Sequence, residues 1–308
     1  MGGLEYKKED RFSPIPPWER ELQTVEAELF ATVETSGNVP VEGLCFDREG
    51  NLYICKCLQG IVLRMDMNTK EFTEVFRDPD LIPTAVKIHR DGRLFVCCIG
   101  HKKTGRIFSI NPDGSDMQVI YAGEDVDDLV FDSEGGIYFT KFVGTAIQKT
   151  GGIGYIPPDF SSSTMLFENL ATPNGVALTL DESFLWVTEF GDNRLHRLAL
   201  KKGLRSSVSY HFTGFKGPDS CSIDEEDNLY VACVAQGRVL VFNYYGNPIG
   251  QVLIPGREEG RFLASSHPMV RPGTKELYIC ASDDFGGGAA IFKAGAFAKG
   301  NGKAFQFT

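Results

Sequence analysis

The chain has 308 residues, with 41 Asp and Glu against 31 Lys and Arg, for a formal charge of −10 and a pI near 5.1. No Lys/Arg stripe interrupts this acidic balance, which argues against nucleic acid as a partner. No stretch approaches about 18 uninterrupted apolar residues, so no membrane-spanning helix is expected.

Residues 1–20 read as an N-terminal extension. They are charged and proline-containing and lack an apolar h-region, so no signal peptide is expected. Residues 21–308 read as one domain. Glu26 to Val33 has the look of a strand. From Val41 onward one short pattern recurs six times: VEGLCFDREGNLYIC from Val41, PTAVKIHRDGRLFVC from Pro83, VDDLVFDSEGGIYFT from Val126, PNGVALTLDESFLWVT from Pro173, PDSCSIDEEDNLYVA from Pro218 and SHPMVRPGTKELYIC from Ser266. Each copy opens with an apolar strand, turns on Asp, Glu and Gly, and returns in a strand such as Leu52-Tyr53-Ile54 or Leu185-Trp186-Val187. Turn residues between two such runs signal a hairpin. A third strand often follows a glycine, as in Gly60-Ile61-Val62-Leu63-Arg64, and Glu71 to Phe76 is of the type that closes a blade.

Helical periodicity is weak throughout. A period of about 45 residues with adjacent strand patterns predicts an all-β, six-bladed β-propeller. The repeat overrides the two-domain prior that length alone suggests. Closure is expected from Glu26–Val33 lying beside Ala304-Phe305-Gln306-Phe307 in the last blade, which leaves no open sheet edge.

Eight cysteines fall mostly within strand patterns. Buried Cys there behaves as a small hydrophobe. Cys55-Lys56-Cys57 is not a C-x-x-C, and no second Cys/His pair follows at zinc spacing. Reduced core thiols are the main reading, with zinc or disulfides as minor alternatives. With no signal peptide expected, this points to the cytosol.

Aligned on their strands, the six units place one polar residue each at the same register: Glu42, Thr84, Asp127, Asn174, Asp219 and His267. The intervals are 42, 43, 47, 45 and 48 residues. In a propeller the first residues of the innermost strands meet at the channel mouth, so this column converges on one place. Strand-start caps would explain some of these residues. They explain a cluster of carboxylates less well, since buried carboxylates are costly unless paired or bound to a cation. Glu42, Asp127, Asn174 and Asp219 offer oxygen donors only, which suits calcium. Such an ion offsets carboxylate repulsion and polarises a carbonyl. His267 is a candidate acid/base or hydrogen-bond donor in the same ring.

Longer stretches carry a family resemblance. They include Glu42-Gly43-Leu44, Asp91-Gly92-Arg93-Leu94-Phe95-Val96-Cys97, Leu185-Trp186-Val187-Thr188-Glu189, Tyr210-His211-Phe212-Thr213-Gly214, Gly217-Pro218-Asp219-Ser220, Gly237-Arg238-Val239-Leu240-Val241-Phe242-Asn243 and Phe297-Ala298-Lys299-Gly300. The chain resembles the senescence-marker-protein/gluconolactonase/luciferin-regenerating-enzyme-like family of calcium-bound six-bladed propellers, and within it the bacterial drug-responsive lactonases. The resemblance implies one catalytic Ca2+ held by Glu42, Asn174 and Asp219, with Asp127 and Ser220 in the same site. It also implies that Asp219 acts as general acid/base in hydrolysis of a small-molecule lactone.

The chain departs from that pattern. Lys56 and Lys141 end the second strands of blades one and three, where the related lactonases carry Asp. Both point toward the column's face, and Asp127, Asp128 or Glu189 are expected partners. Lys56, Lys141, Thr84 and Glu189 are therefore candidate substrate contacts. The loop Tyr121-Ala122-Gly123-Glu124-Asp125 is short, and Lys103 replaces a small oxygen ligand, so the family's second, structural calcium is expected to be absent. Three readings stand: a calcium-dependent lactone hydrolase; a related enzyme with altered, even metal-free, chemistry on an anionic substrate; and a propeller that only binds a ligand or partner. Fold alone does not choose among them.

Overall fold

The computed structural model describes residues 14–201 and 203–302. They form six antiparallel sheets of the repeating unit, with no α-helix among the described residues. The innermost strands are Val41–Phe46, Leu81–Ile88, Val126–Phe131, Pro173–Leu178, Pro218–Ile223 and Ala264–Val270. Each touches the next, and the sixth returns to the first, so the ring is closed.

Closure uses the N-terminal segment twice. Gln23–Glu26 runs parallel to Pro248–Leu253 at the outer edge of blade five. After the buried Ala27, Glu28–Glu34 pairs antiparallel with Gly288–Gly295 and supplies the fourth strand of blade six. The predicted single strand is thus two, divided at Ala27 between neighbouring blades. The predicted partner Ala304–Phe307 lies outside the described residues. Ahead of these strands, Glu19 is buried and pairs with the equally buried Arg238 of blade five at 2.5 Å.

The core consists of six apolar layers, one between each pair of adjacent blades. The period-two alternation of each strand feeds one face to each neighbour. Trp186 shows the principle: it is wholly buried between blades four and five against Phe212 and Phe242. All eight cysteines are buried and free. No helix among the described residues is long and apolar enough to cross a membrane.

Candidate active site at the channel mouth

One irregularity recurs in every blade. The innermost strand carries an extra residue relative to its partner at the column: Glu42 to Cys45 faces Cys55 to Tyr53, and Pro218 to Cys221 faces Cys233 to Val231. The same slip occurs at Pro83/Ala85, Val126/Leu129, Pro173/Val176 and Ser265/His267. A bulge of this kind bends the strand and re-aims side chains. Here it turns the polar column toward the channel. Glycines at two bulges permit the close approach of neighbouring blades. Gly43 has φ +69°, and a Cβ there would stand 2.8 Å from Ala85 Cα and Thr84 O. A Cβ on Gly175 would meet Ser220 Cα and Cys221 N at 2.7 Å.

Side-chain hydroxyls then fasten the column's backbone across blade boundaries. Thr84 Oγ1 donates to Asp127 O at 2.7 Å, Thr140 Oγ1 to Asn174 O at 2.7 Å, Thr188 Oγ1 to Asp219 O at 2.7 Å, and Ser266 Oγ to Val41 O at 2.6 Å. Thr84 is therefore a buried fastener of the backbone that carries Asp127.

Six other predicted residues, Glu42, Asp127, Asn174, Asp219, Ser220 and His267, meet at the axis, each nine-tenths or more buried. Ser220 Oγ lies 3.4 Å from both Glu42 Oε2 and Asn174 Oδ1, which brings blades one, four and five together. His267 Nδ1 is 3.7 Å from Glu42 Oε2. Burial raises the Glu42 carboxyl well above its ordinary range, and the charges of Asp219 and Asp127 add to this. Asp127 is raised likewise by burial, then by Asp219 and Asp128. Burial pushes Asp219 up to about 7, held back by hydrogen bonding to Glu42 and Asn174 and by the Lys216 ammonium. Burial, then Lys87, depresses His267 well below its usual range, so its imidazole is neutral. Neither His267 nitrogen has a hydrogen-bond partner, nor does the buried Asp127 Oδ1.

Glu189 does not join this group. It is fully buried in blade four, 2.7 Å from His196 Nε2 and 3.3 Å from Lys149 Nζ. Against burial, hydrogen bonds from His196 and the Ala171 N–H hold it down to about 2. Lys56 and Lys141 also differ from expectation in their partners. Lys56 pairs with Glu34 at 3.2 Å and Lys141 with Glu124 at 2.7 Å, both at the rim. Lys103 pairs with Asp78 at 2.6 Å.

Sequence reasoning passed over Lys87 and Lys216, and it offered Asp128 to Lys56 or Lys141 where the structure pairs it with Lys87. Asp128 is fully buried, and its Oδ1 is 3.0 Å from Lys87 Nζ. Burial lowers Lys87, but Asp128 more than offsets this and leaves it raised. Lys216 lies close enough to influence Asp219 and pairs with Asp284 at 3.2 Å. Lys87 left a visible signal: at its register the other blades carry Cys45, Val130, Ala177, Ser222 and Met269.

The donor set fits a hard divalent cation. It is oxygen-only apart from a neutral His, is enriched in mutually repelling carboxylates, and leaves Asp127 Oδ1 unpartnered. Among the described residues no three His, Cys, Asp or Glu side chains form a group that could hold a metal ion; the oxygens gathered at the axis include those of Asn174 and Ser220.

Comparison with known proteins places this geometry in context. Residues 121–281 match the family described as SMP-30/Gluconolactonase/LRE-like region. Lactonase drp35 of Staphylococcus saprophyticus is 49% identical over 317 residues, covering 99% of this chain and 97% of the relative. Lactonase drp35 of Staphylococcus aureus is 47% identical over 303 residues, covering 94% and 92%. Among solved structures, the calcium-binding protein regucalcin of Agrobacterium tumefaciens superposes with a TM-score of 0.73 at 18% identity, over 91% of this chain and 97% of that one. At that identity the likeness concerns the fold.

Proposed function

The chain belongs to the SMP-30/Gluconolactonase/LRE-like family, and we propose that it is a calcium-dependent lactonase that opens a small-molecule lactone by hydrolysis. The observation that carries this reading is the convergence of Glu42, Asp127, Asn174, Asp219 and Ser220 from four separate blades on one buried, oxygen-lined point. The near-full-length relatives named lactonase support the substrate class.

Glu42, Asn174 and Asp219 would hold the ion, with Asp127 and Ser220 beside them. Bound calcium supplies Lewis acidity that polarises the lactone carbonyl and stabilises charge developing on its oxygen. The protein's own part is proton handling. Asp219 accepts a proton from the attacking water at a carboxylate oxygen. The water oxygen bonds to the carbonyl carbon, the ring C–O bond breaks, and Asp219 returns the proton to the leaving alkoxide. His267, neutral and beside Glu42, is a hydrogen-bonding group for the same cluster. Lys56 and Lys141 are occupied by Glu34 and Glu124, which favours this reading over a lysine-based chemistry.

The test is hydrolysis of an aromatic lactone by purified protein, with elemental analysis of the same sample. Turnover that is lost in EDTA, is restored by Ca2+ and falls at least a hundredfold in Asp219→Asn is expected. Turnover indifferent to both treatments would overturn the reading.

A further inference from the structure

The innermost strands open at their other ends into a second space. A cavity of about 550 Å³ lies there, bounded by the last residues of several inner strands and the turns that follow. It shares no residue with the column. Asn174 and Leu178 bracket the two ends along one strand, a separation of roughly 13 Å at the usual strand rise. Lys87, paired with Asp128, stands between them and lines the cavity.

The lining is mixed in a way that suits a ligand. Val130, Phe131, Val176, Leu178, Ile223 and Met269 supply apolar walls. Ser222 also lines the space; it is nine-tenths buried, and its Oγ has no hydrogen-bond partner. A buried hydroxyl without a partner is uncommon and points to a group that satisfies it. Lys87 has two ammonium hydrogens beyond the one directed at Asp128. Among the described lining residues Asp132, Glu182 and Glu225 are acidic, against one ammonium, that of Lys87. That balance disfavours an anion. Volume, apolar walls and a few placed polar groups match the usual form of a small-molecule site.

We propose that this lower cavity is a second small-molecule site, taking a neutral, largely apolar ligand whose hydrogen-bonding oxygen meets Ser222 Oγ and Lys87 Nζ. It does not depend on the lactonase reading, since it uses none of the column residues.

The experiment uses the full chain and the neutral fluorophore 6-propionyl-2-(dimethylamino)naphthalene, a flat apolar body with one carbonyl. Saturable one-to-one binding with blue-shifted emission is expected. Ser222→Phe, which fills the space, should weaken it at least tenfold. Ser222→Val, which removes only the hydroxyl, should weaken it about fivefold, the fold-change of one neutral hydrogen bond. The sulfonated probe 1-anilinonaphthalene-8-sulfonate should bind more weakly than the neutral one. Absence of saturable binding, or binding unchanged in Ser222→Val, overturns the site. Preference for the sulfonate overturns the ligand class. Should Ser222→Phe not fold, Ser222→Val still decides.

Discussion

Lys87 Nζ stands 3.0 Å from Asp128 Oδ1 on the wall of the central channel, and that carboxylate has no solvent exposure. Burial raises Asp128, and Lys87 opposes the rise. Removing one member of a buried pair costs far more than removing both, because it strands a charge. Lys87→Met should therefore lower unfolding stability by about 3–5 kcal/mol in urea titration. The double variant Lys87→Met/Asp128→Asn should recover most of that. Equal losses in the single and double variants would show that packing, not charge, holds this position.

The column predicts an inverted pH dependence in metal-free protein. Asp219 sits at about 7 when folded, against about 3.9 in an unfolded chain. Between those values the folded state binds the extra proton, so stability is fully present below pH 4 and is lost as pH rises through 7. Glu42 and Asp127 shift in the same direction. Melting temperature should fall steadily from pH 5 to pH 8 in EDTA. Millimolar CaCl2 should abolish most of the decline, since a cation relieves the repulsion. A flat profile in EDTA would rule out carboxylates shifted upward in the native state.

Asp219→Asn follows from the same electrostatics as a trade between stability and activity. It removes one of the repelling charges at the axis, so the metal-free protein at pH 8 should melt higher than wild type. It also removes the group proposed to move the proton, and general acid–base groups contribute roughly 10²–10⁴-fold. Lactone turnover should drop by that order. A variant with lower stability and unchanged turnover would place Asp219 among structural groups.

The repeat and most of its column were legible because radial symmetry writes the same register six times, and Glu42, Thr84, Asp127, Asn174 and Asp219 stand at it; in blade six the strand pairing puts Ser266 there and His267 one residue later, because the turn after that strand is longer than in most blades. The bulge that aims them was not legible. One extra residue per inner strand leaves the apolar pattern readable, and its cause lies in contacts between blades, as Gly43 against Ala85 shows. Ion pairing was harder still. Glu34 and Glu124 reach Lys56 and Lys141 from another strand and a loop, and nothing local to either lysine announces such a partner. Lys87 was visible in the aligned register as the one charged residue there, but a carboxylate on the next blade is what gives it meaning.

The hydroxyl fasteners should contribute to stability without entering the chemistry. Thr188 Oγ1 both accepts from Gly175 N at 2.7 Å and donates to Asp219 O at 2.7 Å, so it links blades four and five beside the site. Thr188→Val keeps the volume but leaves a buried carbonyl and amide short of a partner. A loss of about 1–3 kcal/mol is expected in urea unfolding. Substrate KM should move more than the chemical step, because Asp219 keeps its identity while its backbone loosens. An unchanged midpoint would remove the fastener role.

Lys141 gives the sharpest separation of the two enzymatic readings. Its side chain is 11% exposed and its ammonium lies 2.7 Å from Glu124, which is itself 54% exposed. With its charge matched by the glutamate, Lys141 adds little attraction for an anionic substrate. Lys141→Ala should then leave the ratio of KM for a carboxylate-bearing lactone to KM for a neutral lactone within about twofold. Its stability cost should stay below about 1 kcal/mol, the usual worth of a partly exposed pair. Glu124→Gln reverses the situation by freeing the ammonium at the rim. The KM ratio should then shift toward the anionic lactone by about fivefold, roughly 1 kcal/mol of attraction, and high salt should erase the shift. If Lys141→Ala alone destroyed the preference for an anionic lactone, the ammonium would already be reading substrate charge, and the site's chemistry would lean on lysine rather than on its carboxylates.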